Sequence, residues 1–209
     1  MSAKGKHIIG LTGGIGSGKS TATRYLRSLG AATFDADGIS RALLDVDGGC
    51  YDAVLSAFGE GVRRADGTID RKALAGIVFS DEAALDQLNG IVHPAVCGKL
   101  LQNARSVLAE RPDALVILDV PLLFECGLSR DTDENLLVYA NDDVRIARVT
   151  ARDGLTEAQV RARMDAQMPQ EEKRRLADVV IDNSTTLSAL YAQLDAWYAL
   201  TAGVRGTEA

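Results

Sequence analysis

The chain of 209 residues reads as an α/β protein built on a parallel sheet. Three observations predict this class. Short apolar runs alternate with longer stretches of helical period, the pattern of strands joined by helical crossovers. Several of these runs end in an acidic residue, at the edge where open α/β sheets meet their ligands. The first run leads into Gly13-Gly14-Ile15-Gly16-Ser17-Gly18-Lys19-Ser20, a G-x-x-x-x-G-K-S phosphate loop, which requires a strand before it and a helix after it.

Each element has its own signal. His7–Thr12 is a short apolar run suited to a buried strand, and Ala22, Tyr25, Leu26 and Leu29 then recur at helical spacing. Ala32-Thr33-Phe34-Asp35 reads as a second strand ending in acid. Residues 38–110 read mostly helical, broken at Asp47-Gly48-Gly49, Gly59-Glu60-Gly61 and Ala65-Asp66-Gly67, with Asp70 placed to cap a helix. So long a stretch without a core strand exceeds a simple crossover and predicts a helical subdomain. Strands return at Ala114–Val120, Asn135–Ala140 and Val179–Asp182. Leu187, Leu190, Tyr191, Leu194, Trp197 and Tyr198 form the apolar stripe of a last helix over 186–200. The tail Gly203–Ala209 is expected to fray. The whole is one domain, with its core at about 7–44, 112–141 and 177–201, a helical insertion at about 45–111 and a lid at about 142–176.

At 46% hydrophobic residues and this length a substantial core is available without disulfide staples. The net charge of −6 argues against a general nucleic-acid binder, whose affinity comes from counterion release at a basic surface. Cys50, Cys97 and Cys126 are odd in number and lack C-x-x-C spacing, which points away from a disulfide framework or zinc site. Residues 1–6 are polar, with no signal-peptide core, and no apolar run approaches a membrane span. A cytoplasmic protein without membrane partners is expected, a monomer or weak homo-oligomer.

The chemistry begins at the phosphate loop. Its glycines permit backbone conformations that a Cβ forbids and let N–H groups converge on phosphate oxygens. The helix starting near Gly18 turns its positive end on the same anion. Lys19 suits the β- and γ-phosphates, and the Ser20 hydroxyl suits Mg²⁺. The loop alone does not separate kinase, GTPase, ATPase motor and sulfotransferase. Asp119 ends the central run and can hold Mg²⁺, or else cap the following segment. Asp37 can accept a proton from an acceptor hydroxyl, or else cap the next helix. The arginines of 142–176 can close over a transferring phosphoryl group, or else lace a solvated surface with ion pairs. Arg148 and Arg152 share one helix face and are the best pair to converge on an anion. His7 opens the first strand at its far end and reads as structural. His93, whose backbone is restricted by Pro94, reads as a buried, satisfied histidine.

Several separated motifs, in order, resemble the dephospho-CoA kinase family over about Ile8 to Leu194. They are Gly10–Thr21, Asp35-Ala36-Asp37 with Arg41, Phe58-Gly59, Asp66-Gly67 with Asp70-Arg71, and Leu88–Ile91 with His93-Pro94. Pro121-Leu122-Leu123-Phe124-Glu125 follows, then Arg148 with Arg152-Asp153-Gly154, Gln167, Lys173, Ala177-Asp178 and Ile181-Asp182-Asn183. The resemblance implies a three-layer P-loop NTPase fold with a five-stranded parallel sheet, a helical acceptor-binding subdomain and a lid. It implies ATP-dependent phosphorylation of the ribose 3′-hydroxyl of dephospho-CoA, with Mg²⁺. It further implies Asp37 as base, Lys19 as phosphate clamp and Arg148 as the lid arginine. Gly14, Ile15, Gly16, Ser17, Gly18, Lys19, Ser20, Thr21, Arg152 and Asn183 would contact ATP, and Ser20 and Asp119 the metal. Asp37, Arg41, Asp70, Arg71, His93, Pro121, Leu122, Leu123 and Glu125 would line the acceptor side. Many members carry glutamine where this chain has Arg145, and the destination of that arginine stays open. The alternatives are another small-molecule P-loop kinase and a nucleotide switch. The switch lacks its guanine-reading N-K-x-D segment, since Asn141-Asp142-Asp143 has no lysine.

Overall fold

A computed structural model describes residues 7–203; the polar residues 1–6 and the part of the expected frayed tail at 204–209 lie outside them. Five strands, β1 (Ile8–Thr12), β2 (Ala32–Asp35), β3 (Val116–Asp119), β4 (Glu134–Tyr139) and β5 (Val179–Asp182), form one sheet in the order β2-β3-β1-β4-β5. β1 pairs in parallel with β3 from Ile8↔Val116 to Leu11↔Asp119 and with β4 from Ile9↔Glu134 to Thr12↔Leu137. β4 pairs in parallel with β5 from Leu136↔Val179 to Tyr139↔Asp182. The expected five-stranded parallel sheet is therefore present, and β1 occupies its centre. That position sends the phosphate loop out from the middle of the sheet's carboxyl edge, where a doubly wound sheet opens its crevice.

Helices α1 (Lys19–Ser28) and α9 (Leu187–Gly203) cover one face. Alternate residues Ile9, Leu11, Leu136 and Val138 point to that face and pack with Ala22, Leu26, Leu190, Leu194 and Trp197. Gly10 points to the opposite face. A Cβ there would lie 2.7 Å from Leu123, so the glycine makes the room into which Leu123 is fully buried. Trp197 Nε1 donates a 3.0 Å hydrogen bond to the buried carboxylate of Glu134 at the start of β4.

The chain divides into two compact units, residues 35–103 and the remainder. The 35–103 unit contains α2 (Ala36–Leu43), α3 (Tyr51–Phe58), α4 (Arg71–Val78) and most of α5 (Glu82–Glu110). Tyr51, Val54, Val62, Ile69, Leu74 and Val78 are its core. α5 runs through Pro94, which removes one backbone donor from the middle of the helix. The segment rich in arginine folds as α6 (Asp142–Asp153), α7 (Glu157–Asp165) and α8 (Gln170–Leu176). α7 begins at a capping box, Thr156 with Gln159. Among the described residues no helix is long and apolar enough to cross a membrane.

Trp197→Phe keeps the aromatic bulk but removes the indole donor from a buried carboxylate. The variant should lose about 1–3 kcal/mol of stability, read as a lower denaturant midpoint at unchanged slope.

Candidate active site

The phosphate loop adopts the conformation its glycines allow. Gly16 (φ 78°) and Gly18 (φ 91°) lie in the left-handed region. A Cβ on Gly16 would also come within 2.7 Å of the Arg145 carbonyl oxygen, and one on Gly18 would overlap the Asn183 amide. α1 starts at Lys19 with no side-chain cap and no acidic residue in its first turn, so an anion is the complement for its N–H groups and dipole.

The loop is braced from outside. Arg145 on α6 is buried, and its Nε donates to the Ile15 carbonyl at 2.9 Å while Nη1 pairs with Asp142 at 2.9 Å. The Ile15 N–H donates to the Gln167 side-chain oxygen at 3.0 Å. Asn183, just past β5, donates from Nδ2 to the Ser17 carbonyl at 2.8 Å. The open destination of Arg145 is thus the back of the phosphate loop. The same period that buries Val149 one turn on carries Arg145 inward, a signal the charge of the residue concealed.

A charged pair closes one side of the loop's mouth, and an arginine lines a recess beside Gly18. Lys19 Nζ pairs with Asp119 at the end of β3, and the Thr23 hydroxyl, one turn after Lys19, lies 2.6 Å from the second oxygen of Asp119. Arg148 on α6 lines a recess of about 240 Å³ with Gly18, Thr21, Asn183 and Leu187. Its Nη1 is buried and makes no hydrogen bond within the described residues. A buried donor left so is costly, and an anion in the recess would satisfy it. Arg152 does not join Arg148: it is exposed and grips Asp153 through bonds of 2.7 and 2.9 Å. Most other arginines of the segment also form surface pairs, such as Arg161 with Glu157, and Arg174 lies 5.3 Å over the Tyr139 ring.

Among the described residues no group of three or more His, Cys, Asp or Glu is placed to hold a metal. Mg²⁺ bound with a nucleotide needs no such group, because phosphate oxygens and water supply most of its shell. Ser20, exposed at the start of α1, and Asp119, whose two oxygens pair here with Lys19 and Thr23, are the hydroxyl and the carboxylate that could hold it.

The Pro121–Glu125 segment follows β3. Pro121 and Leu122 are half-buried, and Glu125 forms a 2.8 Å ion pair with Lys173. Leu123 corrects the expectation for it: packed fully into the space left by Gly10, it has no surface with which to line an acceptor site.

In the 35–103 unit the capping alternative for Asp37 is overturned. Asp35 is the cap of α2, accepting from the Asp37 N–H at 3.2 Å and the Gly38 N–H at 2.9 Å. Asp37 stands exposed in the first turn. Arg41 lies 3.7 Å from Asp35, and Arg71 donates to the Arg41 carbonyl and to Asp45, both at 3.1 Å, so these two arginines come together. Asp70 caps α4, accepting from the Lys72 and Ala73 N–H groups, and the Ala73 N–H foremost holds its pKa low. Burial pushes the pKa of His93 below the usual imidazole value, favouring the neutral ring.

Arg145→Met keeps volume but strips the Ile15 carbonyl of its donor. It should cost about 1–3 kcal/mol in thermal unfolding, with Arg145→Gln recovering part of the loss through its amide N–H.

A family model described as dephospho-CoA kinase matches residues 7–189. A dephospho-CoA kinase of Geobacillus kaustophilus is 44% identical over 186 residues, covering 89% of this chain and 92% of its own. A crystal structure of a Thermus thermophilus protein superposes with a TM-score of 0.78 at 40% identity, covering 94% of this chain and 98% of its own. The dephospho-CoA kinase of Campylobacter jejuni superposes with a TM-score of 0.62 at 25% identity, covering 94% and 97%. With these likenesses running through the phosphate loop, the sheet and the arginine-bearing helices, the chain belongs to the dephospho-CoA kinase family.

Proposed function

We propose that this chain transfers the γ-phosphate of ATP to the ribose 3′-hydroxyl of dephospho-CoA, yielding coenzyme A and ADP, the last step of coenzyme A synthesis. The observation that carries the phosphoryl-transfer reading is the buried Arg148 Nη1, which lacks a protein partner among the described residues and lines one recess with Gly18, Thr21 and Asn183. It works in the cytoplasm as a monomer or weak homo-oligomer.

The roles follow from the charge that must be handled. The backbone N–H groups of the Gly14–Thr21 loop that the protein leaves unbonded, Ile15 being given over to Gln167, and the Lys19 ammonium hold the phosphates of ATP, and Asn183 flanks the adenine side. Mg²⁺ held by Ser20 and Asp119 would neutralise charge on the β- and γ-phosphates. The acceptor 3′-oxygen bonds to the γ-phosphorus as the bond from that phosphorus to the β–γ bridging oxygen breaks. Asp37 takes the hydroxyl proton, and ADP leaves with the bonding electrons. Arg148 faces the charge spread over the transferring oxygens. Arg152 stays a peripheral contact, since Asp153 already neutralises it. Arg41, Arg71, His93, Pro121 and Leu122 line the acceptor. Asp70 contributes there by fixing the start of α4, which carries Arg71. The helical subdomain at about 45–111 binds the acceptor, and the segment at about 142–176 is the lid.

Lys19→Ala should abolish turnover, and a near-normal kcat would remove the lysine from phosphate binding. Asp37→Asn should lower kcat about 10²–10⁴-fold with little change in ATP affinity; lost affinity at unchanged kcat would dismiss it as base. Arg148→Lys should slow single-turnover transfer, because an ammonium lacks the planar fork. The deciding assay follows ADP release with dephospho-CoA, adenosine, AMP or pantetheine as acceptor. Stimulation by another acceptor and not by dephospho-CoA would replace this function with that of a different small-molecule kinase.

A further inference from the structure

The phosphate loop and the Pro121–Glu125 segment are both held by one short stretch of chain between α7 and the end of α8. At its start, the Gln167 side-chain oxygen accepts the Ile15 N–H at 3.0 Å. Next to it, the Met168 N–H donates to Glu125 Oε1 at 3.3 Å. At its end, Lys173 Nζ reaches that same carboxylate oxygen at 2.8 Å and the Pro121 carbonyl at 2.8 Å. The Pro121 carbonyl also receives the Thr12 hydroxyl at 3.1 Å, from the residue immediately before the phosphate loop. The Gln167–Lys173 segment is therefore bonded to the loop that follows β1 and to the loop that follows β3.

Packing alone does not account for Lys173. It is fully buried, and a buried ammonium costs several kcal/mol unless it is paired and hydrogen-bonded. A methionine would fill similar volume at no such cost. What the ion pair adds is orientation. It turns the Glu125 carboxylate toward Met168 and Lys173, and it fixes the Pro121 peptide. Glu125 is then an anchor rather than an acceptor contact. At the other end, the Ile15 peptide is gripped on both sides, its N–H by Gln167 and its carbonyl by Arg145. The amides from Gly16 onward take their direction from that peptide.

We propose that Gln167 and Lys173 are positioning residues: through Ile15 on one side and Pro121 and Glu125 on the other, they set the donor loop and the acceptor loop relative to each other and couple the binding of the two substrates. This rests on the acceptor-side assignment of Pro121 and Leu122 made above. Neither positioning residue touches a substrate; each acts on the loops that do.

The test uses the full chain and two variants, Gln167→Met and Glu125→Gln. The second weakens the Lys173 anchor without removing the buried lysine. ADP is titrated calorimetrically with no acceptor present, and steady-state KM and kcat are measured for ATP and dephospho-CoA alongside thermal unfolding. Gln167→Met should weaken ADP binding about tenfold, the worth of one buried hydrogen bond. It should also raise the KM for dephospho-CoA at saturating ATP about fivefold, although the Gln167 side chain bonds to Ile15 of the phosphate loop and not to the Pro121–Glu125 segment. Glu125→Gln should raise the dephospho-CoA KM more than it lowers kcat. The double variant should depart from additivity in kcat/KM, since both substitutions act on one segment. Lowered melting temperatures with wild-type ADP affinity and wild-type KM values would reduce the segment to a structural brace and overturn the proposal. Weakened ADP binding with an unchanged dephospho-CoA KM would overturn the coupling. If wild-type protein releases no ADP with dephospho-CoA, the proposed function fails, while the ADP titration still decides whether Gln167 sets the phosphate loop.

Discussion

A loop that binds phosphate through its backbone must keep several N–H groups aimed at the same point, and so cannot bond those groups to itself. This constraint on Gly13–Ser20 organises much of the sheet-bearing unit. Apart from one internal bond, from the Ser17 N–H to the Gly14 carbonyl at 3.1 Å, what holds the loop in shape grips it from the outside, through carbonyls and through N–H groups that face away from the ligand. Arg145, Gln167 and Asn183 do this at Ile15 and Ser17, and they arrive from α6, from the segment before α8 and from the end of β5. Three separate parts of the fold converge on two residues of one turn. The central position of β1 makes that convergence possible, because its loop emerges with a strand on either side.

Charge is arranged in the opposite sense to the chain as a whole. The protein is acidic, yet Lys19, Arg145 and Arg148 crowd around the phosphate loop and are partly or fully removed from water. Each is handled differently. Lys19 has Asp119 opposite it, Arg145 has Asp142 and a carbonyl, and Arg148 keeps one nitrogen without a protein partner among the described residues. The gradation suits a site that must be stable on its own and still present one strong donor to an anion. Most surface arginines of the same segment are matched by neighbouring carboxylates, which sets them apart from the cations at the site.

Much of this was legible in the sequence, and the parts that were not share a cause. Strands, the phosphate loop and the Asp70 cap are written in residues close together, so local period and spacing reveal them. Ala32–Asp35 and Val179–Asp182 appear at the bounds expected. Asp35 and Asp37 show the limit of that resolution: both suit a helix start, and two residues decide which one caps. Arg145, Lys173 and Leu123 were beyond reach because their partners lie far along the chain. Arg145 meets a residue 130 positions away and Lys173 one 52 positions away; the helical period puts Arg145 on the buried side of its helix but its charge conceals that, and nothing local marks Lys173. Leu123 looked like part of a binding motif, while its burial depends on a glycine in a different strand.

Position 14 carries a consequence of its own for how such a loop can diverge. Gly14, unlike Gly16 and Gly18, does not adopt a positive φ. What excludes a side chain is the guanidinium of Arg145, which a Cβ would approach to 2.5 Å. The two sites are therefore coupled in sequence space: a side chain at 14 displaces the guanidinium that braces Ile15, and a shorter residue at 145 relieves the contact.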